Sequence, residues 1–273
     1  MIVVGSGAIG SEFAWFYAAL GVKVTVVEYM PRMMPLEDEE VSKTMERAFR
    51  KLRAAVLTST TVKSVRVNTE GRCEVEIEGK KGAETLTADI VLSAVGIKSN
   101  IENIGLEELG VAVERDKVVV DQFYRTNVPG VYAIGDIVGG PALAHVASAE
   151  GICCVEAICG LNPAPVDYST IPSCVFTSPE VASVGMTEQQ AQELGIAYKT
   201  GRFPFTASGK ATAAGDRDGF VKLLFGEDDT LLGAHMVGMN VTEMIAEPTL
   251  ARMLGATGHQ IARTIHALSL IHI

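Results

Sequence analysis

Ile2-Val3-Val4-Gly5-Ser6-Gly7-Ala8-Ile9-Gly10-Ser11-Glu12 decides the fold of everything around it. A short apolar run enters a turn with three glycines. Beyond the turn, Phe13, Phe16, Tyr17 and Leu20 recur at helical spacing and predict an amphipathic helix that Gly21 ends. Residues 22–27 are rich in β-branched side chains, which favour a pleated backbone, so a second strand follows and Glu28 closes it. The order is strand, glycine turn, helix, strand, acid.

Each glycine has its own physical reason. Gly5 permits the tight turn, a side chain at Gly7 would block close approach of a pyrophosphate, and Gly10 lets the helix pack against the strand. The free amides and the dipole at the start of the helix attract phosphate. Glu28 stands 18 residues after Gly10, at a strand end, where its carboxylate accepts from the 2′-hydroxyl of an adenosine ribose and repels a 2′-phosphate. The pattern points to a dinucleotide, NAD rather than NADP. The competing reading is a glycine turn kept only for helix packing. Glu12, by itself, reads as a solvated helical acid.

Farther along, 30–36 is a loop with two prolines. Asp38 then caps a helix whose Val41, Met45, Ala48, Phe49 and Leu52 share one face. Residues 56–67 and 73–77 read as strands, with a turn at Gly79-Lys80-Lys81-Gly82. Residues 85–88 and 90–95 read as further strands, the last ending at Gly96, and ligands lie at such strand ends in open α/β sheets. Residues 1–97 thus form a nucleotide domain. In a second segment, 98–166, a buried strand at 131–134 is expected to end in Gly135-Asp136. That acid either bonds a ribose or ribityl hydroxyl or serves as a turn or cap residue. A long helix is expected from Pro141 to about Cys159. The third segment, 167–273, mixes strands (174–176, 182–185, 219–225, 231–237) with helices (187–194, 241–254, 258–266) and reads as an α+β interaction domain.

Composition narrows the class. The 273 residues suit about two domains, and 48% apolar with 21% charged residues is globular, not disordered. Lys and Arg number 23 against 33 Asp and Glu, a net charge of −10 that disfavours a phosphate-backbone partner, so no nucleic-acid role is expected. No run reaches the roughly 18 apolar residues of a membrane span, and the start lacks the basic region of a signal peptide. An intracellular protein without a membrane role is expected. Five cysteines at irregular spacings argue against a secreted disulfide framework.

The glycine turn with Ser11-Glu12, Val27-Glu28, Ala94-Val95-Gly96, Tyr132-Ala133-Ile134-Gly135-Asp136, Leu143-Ala144-His145 and the run Ile171-Pro172-Ser173-Cys174-Val175-Phe176-Thr177-Ser178-Pro179-Glu180 occur in one order. Together they resemble the flavin-dependent pyridine nucleotide–disulfide oxidoreductases over about residues 1–267. Pro35-Leu36-Glu37-Asp38-Glu39-Glu40-Val41 and Ile261-Ala262-Arg263-Thr264-Ile265-His266-Ala267 are similar to the lipoamide-linked branch of that family. The resemblance implies an α/β architecture, with a Rossmann-like NAD domain, part of an FAD domain and an α+β dimerisation domain. It implies that Gly5, Ser6, Gly7, Ala8, Ile9, Gly10, Ser11, Glu12, Glu28 and Gly96 line an NAD site, with the backbone near Val62 beside adenine. It implies that Gly135 and Asp136 bind FAD, and that Ala142, Leu143, Ala144 and His145 run beside the flavin ring. Oxidation of dihydrolipoamide with NAD as acceptor is the reaction implied. A homodimer is implied, served by lipoyl domains of 2-oxo acid dehydrogenase complexes or of the glycine cleavage system, in the cytoplasm or an organelle matrix. Other flavin disulfide reductases, a transhydrogenase and a non-catalytic NAD-binding module are the alternatives.

The same resemblance predicts what is missing. The family's first FAD-binding half, with its redox cysteine pair, has no counterpart here. Leu268 stands where the acid/base His is expected, and Leu268-Ser269-Leu270-Ile271-His272-Ile273 reads as an atypical end. No catalytic residue is therefore assigned. Cys154 and Cys159 imitate a redox pair in spacing, but on a helix five positions turn about 500° and rise about 7.5 Å, beyond bridging reach. They read as buried structural thiols.

Overall fold

The computed structural model describes residues 1–267. The first ninety-five residues open with β1 (Ile2–Val4), α1 (Ala8–Ala19), β2 (Thr25–Val27), α2 (Glu39–Lys51) and β3 (Ala55–Leu57). β4 (Thr61–Val67), β5 (Cys73–Gly79), β6 (Gly82–Ala88) and β7 (Val91–Ser93) follow. β1, β2, β3 and β7 form a parallel sheet in the order β3-β2-β1-β7. The chain runs from β1 outward to β3 on one side, and β7 joins on the other. The carboxyl end of β1 is therefore the switch point where open α/β sheets bind ligands. β4, β5 and β6 form a separate antiparallel sheet that shares a core with Ile2 and Val27 through Val75, Ile77 and Ala88. The single strand expected over 56–67 is thus two strands in two sheets. The break falls at Ser59, whose φ of 50° ends the extended run.

α2 forms as its sequence directs. The Asp38 carboxylate accepts from Glu40 N at 3.0 Å, capping the start, and Val41, Met45 and Phe49 are fully buried. α1 departs from expectation. Its sheet side carries Gly10, Ser11, Ala14 and Ala18, whereas Phe13, Phe16 and Leu20 are 44%, 54% and 67% exposed. Close approach is the cause. A Cβ at Gly10 would stand 2.1 Å from the Gly5 carbonyl oxygen, so only small residues fit between helix and sheet.

Met1–Val95 and the chain from Pro172 onward form one compact unit, and Gly96–Ile171 a second. The second unit holds the hairpin β8 (Val113–Glu114) and β9 (Lys117–Val118), the helix α3 (Ala144–Ile158), and a small core of Val111, Val118, Ala133 and Val138. The buried strand expected at 131–134 is not formed. Only Tyr132 bridges, to Arg125, and Tyr132 and Ile134 are more than a third exposed. A strand requires a neighbour along its length to satisfy its backbone groups, and among the described residues this segment has one bridge.

From Pro172, β10 (Ser173–Val175), β11 (Glu180–Gly185), α4 (Glu188–Glu193), β12 (Tyr198–Pro204), α5 (Gly209–Ala214), β13 (Phe220–Gly226) and β14 (Leu231–Gly238) precede α6 (Val241–Met244), α7 (Ala246–Met253) and α8 (Gly258–Arg263). The strands make an antiparallel sheet in the order β10-β11-β14-β13-β12. β12 and α5 have no counterpart in the sequence reading. β12 is an edge strand whose side chains are mostly exposed, so it lacks the apolar alternation that announces a half-buried strand. The helix expected over 241–254 divides at Ile245. Pro248 has no N–H with which to continue the ladder and sits in the first turn of α7, where that loss is tolerated. Among the described residues, no helix is long and apolar enough to cross a membrane.

Candidate dinucleotide site

The turn between β1 and α1 occupies the switch point. Gly5 has a φ of +94°, and a Cβ there would lie 2.4 Å from the Ala94 carbonyl oxygen, so only glycine fits the bend. Gly7 differs. A Cβ at Gly7 meets nothing within 4 Å, so its missing side chain leaves open space in front of the helix start. No side chain caps that start, and no acid lies in its first turn. Uncapped amides, a positive helix end and an open approach are the features that accept a pyrophosphate. The residues present fit an NAD-type dinucleotide.

Glu28 follows β2 directly and is 6% exposed. Its Oε2 accepts from Ser6 N and Ser6 Oγ, both at 2.7 Å, and its Oε1 accepts from Met30 N at 2.7 Å. The acid is thereby pinned to the glycine turn through the residue between the first two glycines. Ser11 Oγ donates to the Ser6 carbonyl at 2.9 Å, binding helix to turn. Gly5, Ser6, Gly7, Ala8, Ile9, Gly10 and Ser11 therefore meet Glu28 in one place. Glu12 is not a solvated helical acid: its Oε1 accepts from Phe176 N at 2.8 Å, tying α1 to the end of β10. Val62 pairs with Ile77 beside an irregularity in β4 and packs on the core shared with Ile2 and Val27. Gly96, with a φ of +127°, begins the second unit.

In the second unit, Gly135 and Asp136 open a 3-10 turn, Gly135–Ile137. Gly135 N donates to Glu150 Oε2 at 2.6 Å, and Tyr168 OH donates to Glu150 Oε1 at 2.5 Å. Tyr124 OH lies 3.1 Å from Tyr168 OH. Burial, followed by the Glu150 hydrogen bond, pushes the Tyr168 phenol well above its usual range, so Tyr168 remains a donor. The Asp136 carbonyl accepts from Ser99 Oγ at 2.9 Å and Lys117 Nζ at 2.7 Å, while the Asp136 residue is exposed. Ala142, Ala144 and His145 are exposed and Leu143 half-buried at the start of α3, which no side chain caps. An acid fixed through its backbone and open through its carboxylate suits a ligand hydroxyl. The sequence reading missed Glu150 and Tyr168. The signal was an acid on the same face of α3 as Val146 and Cys153, a position that demands buried partners. A cavity of about 780 Å³ in this unit is bordered by Lys117, Val120, Tyr124, Val138 and Tyr168, so the Tyr124–Tyr168 pair lines it, whereas Gly135, Asp136 and residues 142–145 do not.

A second polar cluster also escaped the sequence reading. Lys222 Nζ, on β13, lies 3.0 and 3.1 Å from the Asp38 carboxylate oxygens and also contacts Glu188. Burial raises the Asp38 carboxyl, but the Lys222 hydrogen bond and charge outweigh it and hold the group below its usual range. Burial likewise lowers Lys222, and its bonds to Glu188 and Asp38 outweigh that and raise it. His235 is fully buried, with Nε2 at 2.9 Å from the Met186 carbonyl, and burial lowers its imidazole. Glu37 is raised, chiefly by burial.

All five cysteines are unpaired thiols. Cys154 is buried, as expected. Cys159 is exposed, because it stands at the end of α3 where the helix leaves the core. His266 Nε2 lies 2.8 Å from Glu247 Oε1 on the surface. Leu268, Ser269, Leu270, Ile271, His272 and Ile273 lie outside the described residues.

Residues 1–151 match the model of the pyridine nucleotide-disulphide oxidoreductases, and residues 171–269 match the dimerisation domain of the same family. The chain belongs to that family. Among its relatives, the dihydrolipoyl dehydrogenase of Rhizobium etli is 47% identical over 268 residues, covering 97% of this chain and 56% of that one. The mitochondrial dihydrolipoyl dehydrogenase of Canis lupus familiaris is 41% identical over 98% of this chain and 53% of its own. The structure of LpdA from Mycobacterium tuberculosis superposes with a TM-score of 0.89 at 29% identity, over 99% of this chain and 59% of that one. A copper complex of a variant of the flavoprotein disulfide reductase RclA from Escherichia coli gives 0.90 at 26%, over 97% and 60%. The chain spans a little over half the length of these relatives.

Proposed function

We propose that the chain binds NAD(H) through the turn from Gly5 to Glu12 and through Glu28, and that it serves as the NAD-binding and dimerisation portion of a dihydrolipoyl dehydrogenase. The observation that carries the reading is the Glu28 carboxylate held by Ser6 at the switch point, beside an uncapped helix start and an open Gly7. Glu28 accepts from the adenosine ribose and disfavours a 2′-phosphate, and the amides of α1 hold the pyrophosphate. By the family resemblance, the backbone near Val62 lies by the adenine and Gly96 is a further lining residue. Gly135 and Asp136, with Ala142, Leu143, Ala144 and His145, supply part of an FAD site. When bound, the flavin and nicotinamide supply the redox chemistry, and the protein's share is orientation and charge. Exposed Met244, Leu250 and Met253 on α6 and α7, with Leu254 just after α7, support a homodimer through the chain after Pro172. Lipoyl domains are the partners, in the cytoplasm or an organelle matrix.

The second reading, another flavin disulfide reductase, draws on the RclA superposition. The 41–47% identity of the dihydrolipoyl dehydrogenases favours the first. Titration with NADH and NADPH at fixed salt tests the site. Equal affinities, or none, would remove the argument from Glu28.

A further inference from the structure

The acid of the dinucleotide site and the buried lysine of the β13 strand lie far apart in sequence, yet unbroken contacts join them. Ser6, which donates twice to Glu28, receives Met34 N at its hydroxyl and its carbonyl, both at 3.2 Å. Met34 is 2% exposed and holds a φ of 48°, a left-handed conformation that a non-glycine residue keeps only when its surroundings impose it. The Met34 carbonyl accepts from Ser42 Oγ at 3.2 Å and from Glu37 N at 3.0 Å. Ser42 N in turn donates to the Asp38 carbonyl at 3.1 Å. Asp38 and Ser42 are fully buried, and the Asp38 carboxylate is fixed by Lys222 and by Glu188 N at 3.2 Å.

We propose that Lys222 is a positioning residue for the ribose-binding carboxylate of Glu28, acting through Asp38, Ser42 and the bend at Met34. Within the loop, Glu37 N holds the far side of the bend, and Glu37 itself leads directly into the Asp38 cap. The carbonyl end of the bend is anchored on α2, and the cap of α2 is anchored on the antiparallel sheet. The register of that sheet therefore reaches the adenosine end of the dinucleotide. This inference rests on the NAD reading of the Glu28 site.

The experiment uses the full chain and two probes, ADP-ribose and reduced nicotinamide mononucleotide, the second lacking the adenosine half. Two variants interrupt the path. Asp38→Asn/Lys222→Met removes the two fully buried charges together; Glu188, which loses the lysine, is part-exposed and keeps its bond from Tyr198 OH. Ser42→Ala cuts the link to Met34 without touching a charge, and keeps the test open if the double variant does not fold. Each folded variant is expected to bind ADP-ribose about tenfold more weakly, with affinity for the mononucleotide unchanged. On a Glu28→Ala background the same changes are expected to add nothing further. A merely structural role would lower thermal stability and leave the ADP-ribose affinity of the folded protein alone. Unchanged ADP-ribose affinity in folded Ser42→Ala, or full additivity with Glu28→Ala, overturns the proposal while leaving the NAD reading intact. Failure of the unaltered chain to bind ADP-ribose overturns the NAD reading, and this proposal with it.

Discussion

Adding one methyl group at each of two glycines in the same turn separates packing from binding. At Gly10 a Cβ would stand 2.1 Å from the Gly5 carbonyl oxygen and 3.3 Å from the Ala94 Cβ. An ordinary contact of that kind is well over 3 Å, so Gly10→Ala must push α1 away from β1 by about an ångström. That shift reduces contacts between Ala14, Ala18 and the core of Val3, Val24 and Val26. Overpacking of this sort costs about 1–3 kcal/mol. For a chain of this size, 2 kcal/mol is a fall in Tm of roughly 4–8 °C. At Gly7 the backbone has φ −64° and ψ −173°, which alanine adopts without strain, and the methyl would point into open space. Gly7→Ala should leave stability unchanged or raise it by about 0.4–1 kcal/mol. It should nonetheless weaken NADH binding, since the methyl occupies the approach of the pyrophosphate. Thermal melts of both variants, with NADH titrations well below Tm, make the comparison. A Gly7→Ala protein that binds NADH normally would refute the reasoning, as would a Gly10→Ala protein with normal stability.

Glu28→Gln retains an acceptor for one Ser6 or Met30 donor but loses the charge, and should narrow the preference for NADH over NADPH by about tenfold, near 1.4 kcal/mol; parallel titrations measure it. His235 faces Lys222 and Ser183 across the strands, the Met186 carbonyl, and the charges of Asp38 and Glu188. Its folded pKa is lowered, so below about pH 6.5 the unfolded chain takes up a proton that the folded chain refuses, and stability falls with pH at up to about 1.4 kcal/mol per unit. His235→Gln should lack this component; denaturation at pH 7.5 and 5.5 would expose the difference, and parallel pH profiles would count against it. Among the thiols, exposed Cys159 should react quickly with an aromatic disulfide reagent and buried Cys154, whose thiol burial pushes up, slowly. Loss of the fast phase in Cys159→Ser is the expected result.

What the sequence determined by itself lies within short reach along the chain. The strand, glycine turn, helix and acid of residues 2–28 were legible because each glycine answers to a local bend or contact, and because Glu28 follows its strand directly. The same holds for α2, whose cap and apolar spacing fall within a few turns, and for α3, foreseen to within a few residues. Tertiary structure decided the rest. Small residues of α1, rather than Phe13, Phe16 or Leu20, face the sheet, because the helix approaches β1 too closely there for anything larger. Residues 131–134 do not form the expected strand, since strand formation depends on a neighbour. Glu12 meets Phe176 across 164 positions, and Asp38 meets Lys222 across 184. A hydrophobic period records which way a side chain points, not what stands opposite. The partner of a buried charge is set by sheet register and by the docking of α2 on that sheet, and exists only once the chain has folded.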